Sequence, residues 1–453
     1  MRYTIDTNIG SHFVFAAQRD HGGGKAAPMG RRILHADFNS FYASVACFLD
    51  PALRPHPVAV AGNPEARHGI ILAKNELAKK FGVKTGEAIW QAKQKCPLLV
   101  TVKPDFDSYH KFSELGRELY GEYSDQVEAF GLDENWVDVT ASTTDMADAY
   151  RLANVIRDRI KSELGITVSI GVADNKVFAK LGSDIKKPDA VTLVSPENYQ
   201  SVAWPLPARE LLYVGRATEA KLLKYGIVTI GDLATTPEAF LRAQFGKAGT
   251  MLHAFANGLD AAPVLHTIDQ QTVKSVGNGL TTPRDLVNDE DVYLTISMLA
   301  ESVAMRLREH GMRARTAHLS VRDTGLVSFI RQTKLERPTN ITIEISRACM
   351  QLFRENYTWQ TPIRSLTVSC SDLIGTDNPE QLSLFDDEAP RRKAEAAEVA
   401  VDDIRRRFGY RAIGRAIFLK DREIGLMAPK VDHTVHPVGY LQNATMDSVI
   451  GGR

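Results

Sequence analysis

Residues 130–140 read FGLDENWVDVT and set two carboxylates, Asp133 and Glu134, side by side in a segment that otherwise has the character of a buried strand. Phe130, Leu132, Trp136 and Val139 are bulky or β-branched, and a glycine and an asparagine flank the acids. Two adjacent negative charges are expensive to bury unless a positive group compensates them. A third acid, Asp37, closes the apolar stretch RRILHADF (31–38), 96 residues earlier (133 − 37). If the two strands are neighbours, three carboxylates converge on one point, and hard oxygen ligands suit Mg2+. Two such ions stabilise the attacking and leaving oxygens of an in-line phosphoryl displacement. The same residues also allow a plainer arrangement, with Asp133 and Glu134 capping a turn and Asp37 an isolated loop acid.

Outward from these acids, strand and helix patterns alternate. FYASVACFL (41–49) reads as a helix, closed by the proline-rich DPALRPHP. VAVAG (58–62) reads as a strand, and GIILAKNELAKKFGV (69–83) as a strand running into a helix. Tyr109, Phe112, Leu115, Leu119 and Tyr123 recur at spacings of three and four, an amphipathic helix. AYRLANVIRDRIKSELG is another, and ITVSIGVA (166–173) is a strand. The alternation from 31 to 195 predicts an α/β domain with the paired acids on a central strand.

Beyond it, LLYVGRATEAKLLKYGIVTIGDLATT (211–236) holds two short helical patterns around a Gly-containing turn. It reads as a helix-hairpin-helix able to grip a phosphate, or as a small helical connector. From 272 to about 375 a long amphipathic helix (Ile296, Leu299, Val303, Leu307) precedes two alternating strands, TAHLSVRD (316–323) and RSLTVSCSDL (364–373). Residues 311–340 carry Arg313, Arg315, Arg322, Arg331, Lys334 and Arg337 against Asp323 and Glu336. That local excess of positive charge suits contact with a phosphate backbone, or an ordinary solvated sheet face.

At 453 residues the length points to about three domains, and 44% hydrophobic residues is ordinary for a globular chain. Lys+Arg and Asp+Glu both total 55, so any nucleic-acid footprint must be local. Cys47, Cys96, Cys349 and Cys370 are scattered without a C-x-x-C, which argues against a zinc site or a disulfide framework and suits a reducing cytoplasm. No apolar run reaches the length of a membrane span and no signal-peptide core is present, so a cytoplasmic protein with no membrane partner is expected. Residues 1–30 are expected to form a flexible N-terminal extension.

Several segments resemble one known family. HADFNSFYASV (35–45), YSDQVEAFGLDENWVDVT (123–140) and VSIGVADNKVFAKLGSDIKKPDAVTLV (168–194) are similar, in order and spacing, to the three signature segments of Y-family translesion DNA polymerases, in the bacterial DNA polymerase IV-like branch. KFGVKTGEAIWQAK (80–93) resembles the fingers segment and KSVG (274–277) the start of the little finger, so the likeness covers roughly 31–375. It implies a multi-domain α/β fold: a right-hand polymerase of palm, fingers and helical helix-hairpin-helix thumb, plus an α+β little-finger domain. The implied boundaries are 31–40 and 104–194 for the palm, 41–103 for the fingers, 195–264 for the thumb and 272–376 for the little finger. It also implies a low-fidelity activity without proofreading, acting on primer-template DNA and dNTPs with two Mg2+ ions.

Residue by residue, the resemblance places Asp37, Asp133 and Glu134 as catalytic metal ligands, helped by the backbone carbonyl of Phe38. Tyr42 stands at the steric gate that excludes a ribose 2′-hydroxyl. The amides of Ser40 and Phe41 approach the triphosphate at a helix start, and Lys187 matches a phosphate-contacting lysine. Lys176 and Lys180 are expected as helix-surface charges first and phosphate contacts second. Three departures stand out: Asn39 replaces the branch's usual Asp, AFGLDE replaces SIDE, and Ala73, Glu76 and Lys79 replace Thr, Tyr and Arg. Lys79 can neutralise phosphate as a point charge, whereas an ionised Glu76 cannot donate to it.

NPEQLSLFDDEAP (378–390) is an acidic stretch with an apolar cluster, and QLSLF resembles the peptide by which bacterial polymerases bind the sliding clamp, with Gln381, Leu382, Leu384 and Phe385 as anchors. Residues 391–453 are expected as a C-terminal helix and tail, with Ala397, Val401, Ile404 and Phe408 on one face, packing on the body or on a partner. A monomer is expected. The competing expectations are a non-catalytic Y-family-like scaffold in DNA repair complexes, against which all three acids argue, and a metal-dependent nuclease or cyclase on a palm-like fold.

Overall fold

The structure, a computed structural model, describes residues 30–62, 69–267, 273–378, 388–425 and 427. The N-terminal extension up to residue 29 and the clamp-like anchors Gln381, Leu382, Leu384 and Phe385 lie outside the described residues. The described chain forms two compact units, one from 30–61 and 71–267, the other from 273–378 and 388–427.

The first unit runs β1 (Ile33–Phe38), α1 (Phe41–Leu49), β2 (Val58–Ala61), β3 (Ile71–Lys74), α2 (Glu76–Lys80), α3 (Ile89–Lys95), β4 (Val100–Val102), α4 (Phe106–Gly121), β5 (Val127–Ala129), β6 (Glu134–Asp138), α5 (Met146–Arg159), β7 (Val168–Ala173), α6 (Lys176–Ile185) and β8 (Val191–Val194). The alternation expected from the sequence is present, but most of its ladders are antiparallel. In the five-stranded sheet β5-β6-β1-β7-β8 only β7 and β8 run parallel. A smaller sheet, β3-β2-β4, carries α2 and α3. Helices α7 (Tyr199–Val202), α8 (Arg216–Lys224), α9 (Ile230–Thr235), α10 (Glu238–Phe245) and α11 (Lys247–Ala256) complete the unit, with α8 and α9 on the two helical patterns of 211–236. Their apolar residues Leu222, Ile230, Leu233 and Leu252 share one core with Phe178, Leu181 and Val194.

The strand expected through 130–139 is corrected in two ways. Residues 130–133 form a bend, so β6 begins only at Glu134 and Asp133 is the last residue of a turn. Gly131, at φ +107, supplies the left-handed backbone that lets β5 and β6 pair as a hairpin, closed by the Phe130 amide donating to the Glu134 carbonyl at 2.8 Å. Phe130 is accordingly 36% exposed, its ring resting on Trp136. The central strand is β1, which carries Asp37; Glu134 opens its neighbour β6, and Asp133 stands in the turn just before it.

Helix α6 begins where Asn175 caps it, its side chain accepting from the Phe178 amide at 2.8 Å. It lies so close to β7 that a Cβ on Gly171 would stand 1.8 Å from the Ala179 carbonyl oxygen. Gly171→Ala therefore forces α6 off the sheet. The expected cost is about 2 kcal/mol or more, read as a fall in unfolding midpoint, because close-packed interiors do not yield.

In the second unit, β9 (Ser275–Leu286), α12 (Asp289–Glu309), β10 (Met312–Asp323), β11 (Ser328–Thr339), α13 (Thr342–Asn356) and β12 (Ile363–Gly375) build a sheet of order β11-β10-β12-β9 with two helices against it. The alternation in β10 and β12 holds: Ala317, Leu319, Val321, Leu366, Val368 and Cys370 are buried against α12 and α13. Of the basic residues on 311–340, Arg315, Arg331 and Lys334 are exposed, whereas Arg313 turns to Glu395 at 3.5 Å.

Helix α14 (Glu388–Phe408) packs back on this unit, and by its charged residues. Arg308 of α12 holds Asp402 at 2.6 Å and Glu398 at 3.2 Å, Arg391 holds Glu344 at 3.1 Å, and Arg405 pairs with the buried Glu301. The apolar stripe expected to do the docking stays partly open, with Phe408 exposed. The reason is complementarity: α12 offers buried Glu301 and Arg308, which must be paired once desolvated.

Candidate active site

Antiparallel pairing of β1 and β6 sets Asp37 directly opposite Glu134, and the Phe38 amide donates to the Asp133 carbonyl at 3.1 Å. Register thus brings together the three acids. Burial, and after it the charges of Asp37 and Glu134, pushes the Asp133 carboxyl up to about 7. Asp37 is raised to about 6 by burial, against the pull of Lys187. Glu134 goes the other way: burial works to raise it, but His35 and Lys180 outweigh this and hold it at about 2.

The reason for the split is the cations. Lys180 Nζ, from α6, lies 2.5 Å from Glu134 Oε2. His35, fully buried on β1, has Nε2 3.4 Å from the same oxygen and Nδ1 2.9 Å from Ser183 Oγ. Lys187 Nζ sits 2.5 Å from Asp37 Oδ2 and 2.7 Å from Asp184 Oδ1. Lys176, one turn before Lys180, is taken up by Glu128 at 2.7 Å, its ammonium 4.4 Å from the centre of the Trp136 ring. Lys180 and Lys176 are therefore not free surface charges, as their sequence positions had suggested. His35 and Ser183 were not singled out from the sequence, and Lys180 was read first as a surface charge; for Lys180 and Ser183 the signal was the spacing of 176, 180, 183 and 187, which puts them on one side of a helix leading to Lys187.

Because Asp37 and Asp133 have raised values, their contribution to metal-free stability has a definite sign. It is fully present below their unfolded value near 3.8 and is lost as pH rises through about 6 and 7. In chelator, the unfolding midpoint of the wild type is expected to fall from pH 5 to pH 8 relative to Asp133→Asn, and calorimetry at both pH values checks it.

Beside the acids, α1 starts at Ser40, whose backbone is left-handed at φ 51. Ser40 Oγ donates to Glu76 Oε1 at 3.0 Å, and Lys79 Nζ is 2.6 Å from the same carboxylate. Lys79 is thus engaged by Glu76 rather than standing clear. Phe41 is buried against Phe38 and Tyr109. Tyr42 stacks on Tyr109 with ring centres 4.2 Å apart and meets Phe106 edge-on at 5.9 Å, which fixes its ring. Asn39 is not turned to the acids: its Nδ2 donates to Ser169 and its Oδ1 accepts from the Asp189 amide.

Among the described residues no group of three or more His, Cys, Asp or Glu side chains is arranged to hold a metal ion. The donor set nonetheless fits Mg2+, which binds through one or two carboxylates plus substrate phosphates more readily than in all-protein cages. Asp37 and Asp133 are raised first by burial and then by the neighbouring acids, and a dication would offset both effects.

The fold is a mixed α/β one with a helical module and a second sheet-and-helix unit, and comparison with known proteins gives it a family. Residues 36–184 match the impB/mucB/samB family, 273–384 its C-terminal domain, and 209–260 the thumb domain of DNA polymerase-iota. A DNA polymerase IV of Acetivibrio thermocellus is 50% identical over 394 residues, covering 87% of this chain and 99% of that one. DNA polymerase IV 1 of Bacillus subtilis is 36% identical over 397 residues, covering 87% and 94%. A solved Y-family DNA polymerase chimera shares the fold at TM-score 0.68 and 22% identity, over 76% of this chain and 99% of that one. The chain belongs to the Y family of DNA polymerases and is a DNA-directed DNA polymerase of translesion synthesis. Among the described residues, no helix is long and apolar enough to cross a membrane.

Proposed function

We propose that the chain extends the 3′ end of a primer on a DNA template with deoxynucleotides at the Asp37–Asp133–Glu134 site, at low fidelity and without proofreading. The observation that carries this reading is the opposition of Asp37 and Glu134 across β1 and β6, with Asp133 crowded beside them. Asp37, Asp133, Glu134 and the backbone carbonyl of Phe38 would hold two Mg2+ ions, which would supply counter-charge to the acids and to the oxygens that gain charge in phosphoryl transfer. The chain's own groups do the rest. Lys180 and His35 keep Glu134 ionised and oriented; Lys187, bridging Asp37 and Asp184, offers an ammonium to a nearby phosphate. The amides at the start of α1, near Ser40 and Phe41, favour the triphosphate. The Tyr42 ring, held by Tyr109, closes the space a 2′-hydroxyl needs.

In this reading 31–40 and 104–194 act as palm, 41–103 as fingers, 195–264 as thumb and 272–376 as little finger. Residues 378–390 tether a monomeric, cytoplasmic enzyme to the sliding clamp. Extension of a labelled primer with Mg2+ tests it: short, distributive dNTP addition supports the reading, while a processive, proofreading activity, or shortening of the primer, sinks it.

A further inference from the structure

Glu76 is used by no step above, yet it touches two of the residues placed at the nucleotide site. It accepts from Ser40 Oγ at 3.0 Å and from Lys79 Nζ at 2.6 Å, and so ties α2 to the start of α1. Ser40 lies three residues beyond Asp37 in the chain and caps the start of α1. Lys74, at the end of β3, is a further cation beside it: its ammonium is pushed down by burial and by Lys79, and it donates to Thr85 at 2.9 Å. A carboxylate accepts hydrogen bonds and donates none, so Glu76 cannot hold a phosphate; it can only withhold a lysine from one. The Glu76 and Lys79 side chains are 45% and 36% exposed, and an ion pair in that setting is weak enough for a triphosphate to break.

We propose that Glu76 is a positioning residue that sets a low affinity for the incoming nucleotide, by keeping Lys79 paired until the triphosphate displaces it. This rests on the polymerase reading of the site. Glu76→Gln keeps an acceptor oxygen for Ser40 and removes the charge. In this variant the KM for dNTP is expected to fall about fivefold, with kcat changed less than about twofold, since the charge acts on binding rather than on the chemical step. The dissociation constant of a non-hydrolysable dNTP, titrated against the full chain with primer-template DNA, falls in step. In a Lys79→Met background the same substitution no longer lowers KM, because there is no lysine left to release.

A Glu76→Gln protein with the wild-type unfolding midpoint but unchanged or higher KM overturns the proposal. So does an equal fall in KM with and without Lys79, which would mean that the carboxylate repels phosphate directly. A folded wild type that binds no dNTP at all overturns the polymerase reading instead, and the two failures are told apart by that single titration.

Discussion

Asp133→Asn is expected to lower kcat for deoxynucleotide addition by about a thousandfold, roughly 4 kcal/mol of lost transition-state stabilisation, because in the proposed reading one of the three anions that would hold the compensating cations is gone. The same substitution raises the unfolding midpoint of the chelated protein at pH 8. There the native Asp133 must be ionised beside Asp37 and Glu134, although the fold raises its carboxyl to about 7. Opposite movements of activity and stability are the mark of a residue kept for function. Primer extension and calorimetry on the same preparation check both. A variant that loses activity and stability together would instead point to a structural turn residue, the plainer arrangement open from the sequence.

Tyr42→Ala is expected to open the site to ribonucleotides. The wild type is expected to favour dNTP over rNTP by steric exclusion, and removing the ring relaxes that preference by on the order of a hundredfold in the ratio of kcat/KM values. The ring can exclude only because it is rigid, and stacking on Tyr109 at 4.2 Å with the edge of Phe106 beside it supplies the rigidity. Competition between dNTP and rNTP on one primer measures the ratio. Equal discrimination in wild type and variant would remove Tyr42 from the gate while leaving the acid site untouched.

Much of this site could be read before any coordinates. β1, α1, β2 and β7 lie within a residue or two of their expected ranges, since each is a short apolar run with clear punctuation. The acids and Tyr42 could be picked out as candidates because residue type and order carry them. The roles of Lys180, His35 and Glu76 could not. Lys180 sits on a helix face that looks solvent-exposed until β6 brings Glu134 against it from 46 residues away. Glu76 meets Ser40 across 36 residues, and no local pattern announces such a contact. Where and how α14 docks was left open by the sequence for a related reason. An apolar stripe usually marks the buried face, but Glu301 and Arg308 of α12 are buried charges, and their need for partners turned the helix to its charged side.

By itself the sequence determined which elements form and which residues could do chemistry, because helix and strand periodicity, turn residues and side-chain type are local properties. Only the tertiary structure decided that Asp37 faces Glu134, that Asp133 and Asp37 are raised while Glu134 is lowered, and which lysine each acid holds. Strand register and desolvation depend on segments far apart in the chain, and the energy of a buried charge is set by whatever those segments bring within a few ångströms of it.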